Sequence, residues 1–133
     1  MNILKVLTEK RIKGNIGEEA AAKYLKRLGY KILYRNYVAD GHEIDIIAED
    51  REHICFVEVK ARGEGSKNPY SMRPSDAVDR EKRKSIITAA RAFFASNFGR
   101  KKYRFDVAEV YLDYKNKPTK INYLESAFTL NDR

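Results

Sequence analysis

Residues 43–60 read EIDIIAEDREHICFVEVK. Two runs rich in branched apolar residues, 43–49 and 54–61, lie on either side of the polar Asp50-Arg51-Glu52-His53. Short apolar runs separated by a turn-forming cluster predict a β-hairpin. Side chains alternate along a strand, so Asp45 falls with the odd positions of the first run and Glu58 with Phe56 and Lys60 in the second. A two-residue loop at Arg51-Glu52 sets Asp45 opposite Glu58, with Cβ atoms about 4.5–5.5 Å apart, and brings Lys60 up on the same side. A slip of one residue would oppose Asp45 to Val57 and turn Glu58 to the other surface. The sequence leaves the loop length open. The same register also allows a Glu43–Lys60 surface pair, worth a few tenths to about 1 kcal/mol.

Two neighbouring carboxylates repel each other and stay ionised together when a divalent cation, Mg²⁺ or Mn²⁺, takes oxygen ligands from both. Such an ion beside a phosphodiester can polarise the phosphoryl group and acidify water. Lys60 would then act through its charge, because a protonated lysine is a poor general base. The plain alternative is a solvated hairpin face that contributes only solubility and weak pairing. Glu18 is a further candidate ligand if its helix packs near Asp45; otherwise it is a carboxylate interacting with the start of a helix.

Working outward, apolar residues at 16, 20, 21, 24, 25 and 28 form one helical face over 18–28, led in by Gly14-Asn15-Ile16-Gly17 and ended by Gly29. Glu18 borders that face and Glu19 points to water. Residues 30–37 predict a strand, and residues 63–75, polar with two glycines and two prolines, predict a mobile loop. Ile86, Ile87, Ala90, Phe93, Phe94 and Phe98 share a face of a long helix over 76–98, stopped by Gly99. Lys82 and Arg83 continue that face toward its start, with Lys84 further round; they are candidate phosphate contacts or solvated flank. Residues 104–114 and 119–124 predict two more strands, giving the order αβββαββ and an α/β class. Tyr24, Tyr30, Tyr34, Tyr37 and Phe56 are read as core, not as a base-stacking platform.

The 133 residues carry 27 basic and 19 acidic side chains, a net charge of +8, in a length that suits a single domain over 1–133. The charge is segregated. Residues 1–31 hold 8 basic and 3 acidic groups and 79–104 hold 9 and 2, whereas 32–59 hold 2 and 7. Basic flanks attract a phosphate polymer, while an acidic patch facing it needs cations between. With one cysteine, Cys55, and two histidines, structural zinc lacks ligands and no internal disulfide forms. Cys55 and His53 are read as core filler and turn residue. No run is long enough for a membrane span and no signal block opens the chain, so a cytoplasmic location without membrane partners is expected. No glycine-rich phosphate loop or nucleotide fingerprint is present, which leaves ATP and dinucleotide chemistry unsupported.

The segments Gly14-x-x-Gly17-Glu18-x-x-Ala21-x-x-Tyr24-Leu25, Glu43-Ile44-Asp45-Ile46-Ile47, Phe56-Val57-Glu58-Val59-Lys60-x-Arg62 and Arg104-Phe105-Asp106-Val107 together resemble the bacterial YraN-like uncharacterised family, over nearly the whole chain. That family is similar to the restriction-endonuclease-like PD-(D/E)xK nucleases. The resemblance implies an αβββαβ core with a central mixed sheet flanked by helices, here with a short extra C-terminal strand. It also implies magnesium-dependent phosphodiester cleavage, but it brings no established substrate: branched, nicked, single-stranded and duplex DNA and RNA are all open, and the expectation is DNA, branched or otherwise processed, in preference to RNA. Asp45, Glu58 and Lys60 match the family's acidic and lysine positions. Glu18 matches a helix carboxylate of Holliday-junction-resolvase-like members. Lys82 and Arg83 fall in the basic helix after the catalytic hairpin, and with Arg62 and Lys84 they are the expected nucleic-acid contacts. Ile44 stands in place of the superfamily's proline. A homodimer suits a chain this small handling DNA. The competing functions are a non-catalytic nucleic-acid-binding module and a structural protein that binds an acidic partner.

Overall fold

The computed structural model describes residues 2–64, 78–97, 99 and 101–130. The element order is α1 (Ile3–Arg27), β1 (Lys31–Ala39), β2 (His42–Glu49), β3 (His53–Gly63), α2 (Arg80–Ser96), β4 (Lys102–Leu112) and β5 (Pro118–Phe128). The strands form one sheet in the order β1-β2-β3-β4-β5. Only β3 and β4 pair in parallel, as expected where a helix crosses over between them. This is the mixed-sheet αβββαβ arrangement of the restriction-endonuclease-like fold, with β5 added at one edge.

Asp50 fixes the hairpin register. Its Oδ1 accepts the Glu52 N–H at 2.9 Å and the His53 N–H at 2.7 Å, and its own N–H donates to the His53 carbonyl at 3.1 Å. The side chain thereby imitates a turn of backbone and closes the tight loop. Ile46 pairs with Val57, Ile47 with Phe56, Ala48 with Cys55 and Glu49 with Ile54, the register expected from a two-residue loop.

Each face of the sheet carries its own core. Under α2, Ile47, Phe56, Val107 and Phe128 pack with Ile86, Ala90 and Phe93. Under α1, Ile46, Cys55, Val57 and Ala108 pack with Ala21, Ala22 and Leu25. Phe56 meets Phe93 edge-on at 5.7 Å and stacks on Phe105 at 5.4 Å, an arrangement that adds ring electrostatics to area burial. Tyr34 and Tyr37 also pack edge-on against Phe93. Of the aromatic residues read as core, Phe56, Tyr37 and Tyr30 are bound into it, whereas Tyr34 keeps 45% of its surface exposed and Tyr24 stacks on Tyr123 and lines a surface groove.

The helix limits differ from expectation. α1 begins at Ile3, capped by Asn2, whose side chain accepts the Lys5 N–H, and runs through Gly14 without a break. The first half lacked a legible apolar stripe because it has no core to face: Ile3, Leu4, Leu7 and Ile12 are all exposed. At the other end Gly29, at φ +94°, turns the chain as expected. Leu28 becomes the C-cap and is exposed, although it was read as part of the buried face. α2 starts at Arg80, four residues later than expected, because the Asp79 carboxylate caps it by accepting the Lys82 N–H at 2.8 Å. It ends at Ser96, before Gly99. Most of the loop expected over 63–75 lies outside the described residues, as does Phe98. The last strand spans 11 residues instead of the expected short one.

Candidate active site

The site begins where the hairpin stops pairing. The β2–β3 ladder ends at Ile46–Val57, one pair short of Asp45–Glu58. In place of that pair, the Val59 N–H donates to Asp45 Oδ2 at 2.8 Å, so Asp45 satisfies strand backbone with its side chain. The β1 side is irregular at the same level. Asn36 lies between the pairs Arg35–Ile46 and Tyr37–Ile44 and has φ +53°, a left-handed conformation that asparagine tolerates better than most residues. A further sign of local twist is that Ile44 joins the core under α2 while Ile46 joins the core under α1. Residues two apart in a regular strand share a face. Strict alternation therefore fails at Asp45, between the two cores.

α1 supplies the next carboxylate. Gly17 is buried against β3, and a Cβ there would lie 3.3 Å from Ala61 Cβ and 3.5 Å from Val59 Cγ1. The missing side chain lets the helix approach closely enough for Glu18 to reach the cleft. One carboxylate oxygen from each of Glu18, Glu43 and Asp45 lies within 4.8 Å of the others. Burial, and then the Asp45 charge, push the Glu18 carboxyl above its ordinary range, with Arg35 and the Asn36 side chain pulling the other way. Arg35 lies 4.0 Å from Glu18 and is bonded to Glu19 at 2.8 Å.

Glu58, on β3, lies outside that three-carboxylate cluster and adjoins it through Asp45. It is only 4% exposed, and its Oε1 is buried without a hydrogen-bond partner. Its Oε2 faces two ammonium groups, Lys60 Nζ and Lys82 Nζ, each at 3.8 Å. Burial first, then the adjacent Asp45 carboxylate, push the Glu58 carboxyl up to about 8 despite those lysines. With its carboxyl raised this far, Glu58 shares a proton with Asp45 in the metal-free protein, and a hard cation could take the place of that proton between the two carboxylates. All the available ligands are carboxylate oxygens, the donor type suited to magnesium or manganese.

The residues singled out in the sequence are thus divided by the fold. Asp45, Glu58, Lys60 and Glu18 come together, and Lys82 joins them through Glu58. Arg62 is bonded to the buried Glu109 through its Nε at 2.7 Å. Arg83 donates to the Val78 carbonyl at 2.9 Å, and Lys84 is exposed on the helix. The expected Asp45–Glu58 ladder pair is replaced by the Asp45–Val59 bond. Lys60 meets Glu58, and no Glu43–Lys60 ion pair occurs among the described residues. Glu43 instead belongs to the acidic group, and Asn36 and Arg35 border it. Neither role was readable from Glu43's place on an exposed strand end; for Asn36, a turn-prone residue inside a strand pattern was the available signal.

Away from the cleft, Asp106 is fully buried and ion-paired with Arg104 at 2.9 Å. It also accepts the Tyr123 hydroxyl at 2.7 Å and the Ser126 N–H at 2.9 Å. Arg104 donates in turn to the Tyr30 hydroxyl at 2.7 Å. Burial and the nearby Asp106 push the Cys55 thiol up to about 12, which leaves it inert.

Comparison with known proteins gives one consistent match. The model of "Uncharacterised protein family UPF0102" matches residues 17–110, a span containing Glu18, Glu43, Asp45, Glu58, Lys60 and Lys82. A UPF0102 protein of Caldicellulosiruptor saccharolyticus is 42% identical over 120 residues, covering 90% of this chain and 98% of its own. One from Caldanaerobacter subterraneus subsp. tengcongensis is 41% identical, covering 90% and 96%. One from Clostridium acetobutylicum is 39% identical, covering 88% and 93%.

Proposed function

From its membership of uncharacterised protein family UPF0102, to which the chain belongs, and from the chemistry of its acidic cleft, we propose that this protein is a metal-dependent nuclease that hydrolyses phosphodiester bonds in DNA. The observation that carries this reading is the cluster of Glu18, Glu43 and Asp45 oxygens within 4.8 Å of one another, with the buried Glu58 carboxyl beside Asp45. Glu18, Asp45 and Glu58, with Glu43, would hold Mg²⁺, for which Mn²⁺ could substitute. When bound, the ion offsets carboxylate charge, polarises a phosphoryl oxygen and lowers the pKa of water.

The chain's own residues complete the arrangement. The Val59 N–H holds Asp45 in one orientation, and close approach at Gly17 holds Glu18. Lys60 and Lys82 present two ammonium groups beside Glu58, where they meet the charge that grows on the phosphoryl oxygens during displacement. Water is the proposed nucleophile, because phosphodiester hydrolysis of this kind needs no covalent enzyme intermediate, and Cys55, buried with its thiol pushed up to about 12, is no competitor. Arg83, Lys84 and Arg62 are proposed contacts for the DNA backbone around the cleft.

The test is cleavage of labelled linear, branched and single-stranded DNA, with RNA alongside, in Mg²⁺ or Mn²⁺. Activity that disappears in Asp45→Asn and Glu58→Gln supports the proposal. Activity undiminished in both variants removes the catalytic assignment, and DNA binding without cleavage in any metal indicates a binding module instead.

A further inference from the structure

α1 runs on from Glu18, and a groove of about 640 Å³ lies between it and the chain entering β5. Ile16, Ala20, Tyr24 and Ile121 contribute apolar surface. Lys23, Arg27, Lys117 and Lys120 also line it, and all four are exposed. The helix residues at 16, 20, 23, 24 and 27 form one stripe, so these cations and the aromatic ring follow a common path.

Charge identifies the occupant. Among the described residues, Glu19 is the one carboxylate lining the groove, and it is already bonded to Arg35 at 2.8 Å. Among the described residues, none of the four cations forms an ion pair with a carboxylate. Such a group attracts a polyanion. The ring of Tyr24 is stacked on Tyr123 at 5.7 Å, which holds it as a supported aromatic plate. Cations along a groove with an aromatic surface between them suit a strand whose phosphates are spaced along its length and whose bases are unpaired. A duplex, with its bases turned inward, would leave the apolar surface unused.

We infer that the α1–β5 groove binds a single-stranded phosphodiester chain, with phosphates on Lys23, Arg27, Lys117 and Lys120 and a base against Tyr24. The inference deepens the nuclease proposal and rests on it for direction alone: α1 carries both Glu18 of the cleft and Lys23 and Arg27 of the groove.

The experiment is fluorescence anisotropy with labelled oligo(dT), oligo(rU) and a DNA duplex, in EDTA so that no cleavage occurs. Lys23→Glu/Arg27→Glu and Lys117→Glu/Lys120→Glu are compared with Lys5→Glu/Lys10→Glu, an equal charge change on the far part of α1. Each groove pair should weaken single-strand binding about tenfold or more and reduce the salt slope by about 1.4, from about 0.7 per lost phosphate contact. The control pair should change affinity by less than about threefold, as expected for a diffuse field effect. Tighter binding of oligo(dT) or of oligo(rU) names the strand, and either supports the inference. Unchanged binding in the groove variants, equal loss in the control, or equally effective competition by polyglutamate overturns it. Groove-dependent binding without cleavage in any metal would uphold this inference and defeat the nuclease reading. Groove-independent binding with Asp45-dependent cleavage would do the reverse.

Discussion

Replacing Glu58 by glutamine should stabilise the metal-free protein at neutral and alkaline pH while destroying its response to magnesium. Glu58 is 4% exposed, and its carboxyl is raised from about 4.5 to about 8, by burial first and by Asp45 second. Folding therefore favours its protonated form. The stability this group contributes is complete below about pH 4.5, declines as the pH rises toward 8, and is flat beyond. At about 1.36 kcal/mol per pH unit of the interval, the loss by pH 8 has a ceiling of about 5 kcal/mol. Because Asp45 and Glu58 share the titration and Lys60 and Lys82 lose a partner in the variant, about 2–4 kcal/mol is expected. Urea denaturation in EDTA at pH 5 and pH 8 measures it: Glu58→Gln should match the wild type at pH 5 to within about 1 kcal/mol and exceed it by that 2–4 kcal/mol at pH 8. Magnesium at about 100 times its dissociation constant should then stabilise the wild type by about 2.7 kcal/mol and the variant far less. A pH-independent difference, or a variant less stable than the wild type at pH 8, would refute the view of Glu58 as a strained metal ligand.

Four further outcomes follow from the packing. Asp45→Ala leaves the Val59 N–H without its acceptor and should lose about 1–3 kcal/mol in chemical denaturation, whereas Asp45→Asn, which keeps an acceptor oxygen, should lose less and still abolish cleavage. Gly14→Ala, with nothing within 4 Å of the new Cβ, should raise stability by about 0.5–1 kcal/mol. Gly17→Val, driven into Ala61 and Val59, should cost about 1–3 kcal/mol and weaken metal binding by displacing Glu18, as a thermal melt and a metal titration would register. Arg104→Ala strips the buried Asp106 of its ion-pair partner and should cost about 3–5 kcal/mol, with metal affinity in the surviving folded protein unchanged.

The hairpin was legible because two apolar runs flank a short polar cluster; its loop length was not, and Asp50 sets it with its own carboxylate. Asp45, Glu58 and Lys60 were accessible to the same reasoning, since their placement follows from the register. The way Asp45 meets Glu58 was not. Strand alternation assumes a continued ladder, but this ladder ends at Ile46–Val57 and Asn36 adopts a left-handed conformation opposite Asp45. Glu43 was hidden for the same reason. The first half of α1 escaped notice because its side chains are exposed and it carries no periodic apolar signal, and Gly14 suggested a boundary that the backbone does not make. Lys82 was placed correctly on α2, but its approach to Glu58 depends on how that helix crosses the sheet, which local sequence does not encode.

The most direct test is a Mn²⁺ titration followed by electron paramagnetic resonance, on the wild type, Asp45→Asn and Glu58→Gln. The account predicts saturable Mn²⁺ binding to the wild type that Mg²⁺ displaces and that both variants lose. Binding of equal affinity in all three proteins would contradict the claim that the parted strands and α1 direct their carboxylates to a common ion.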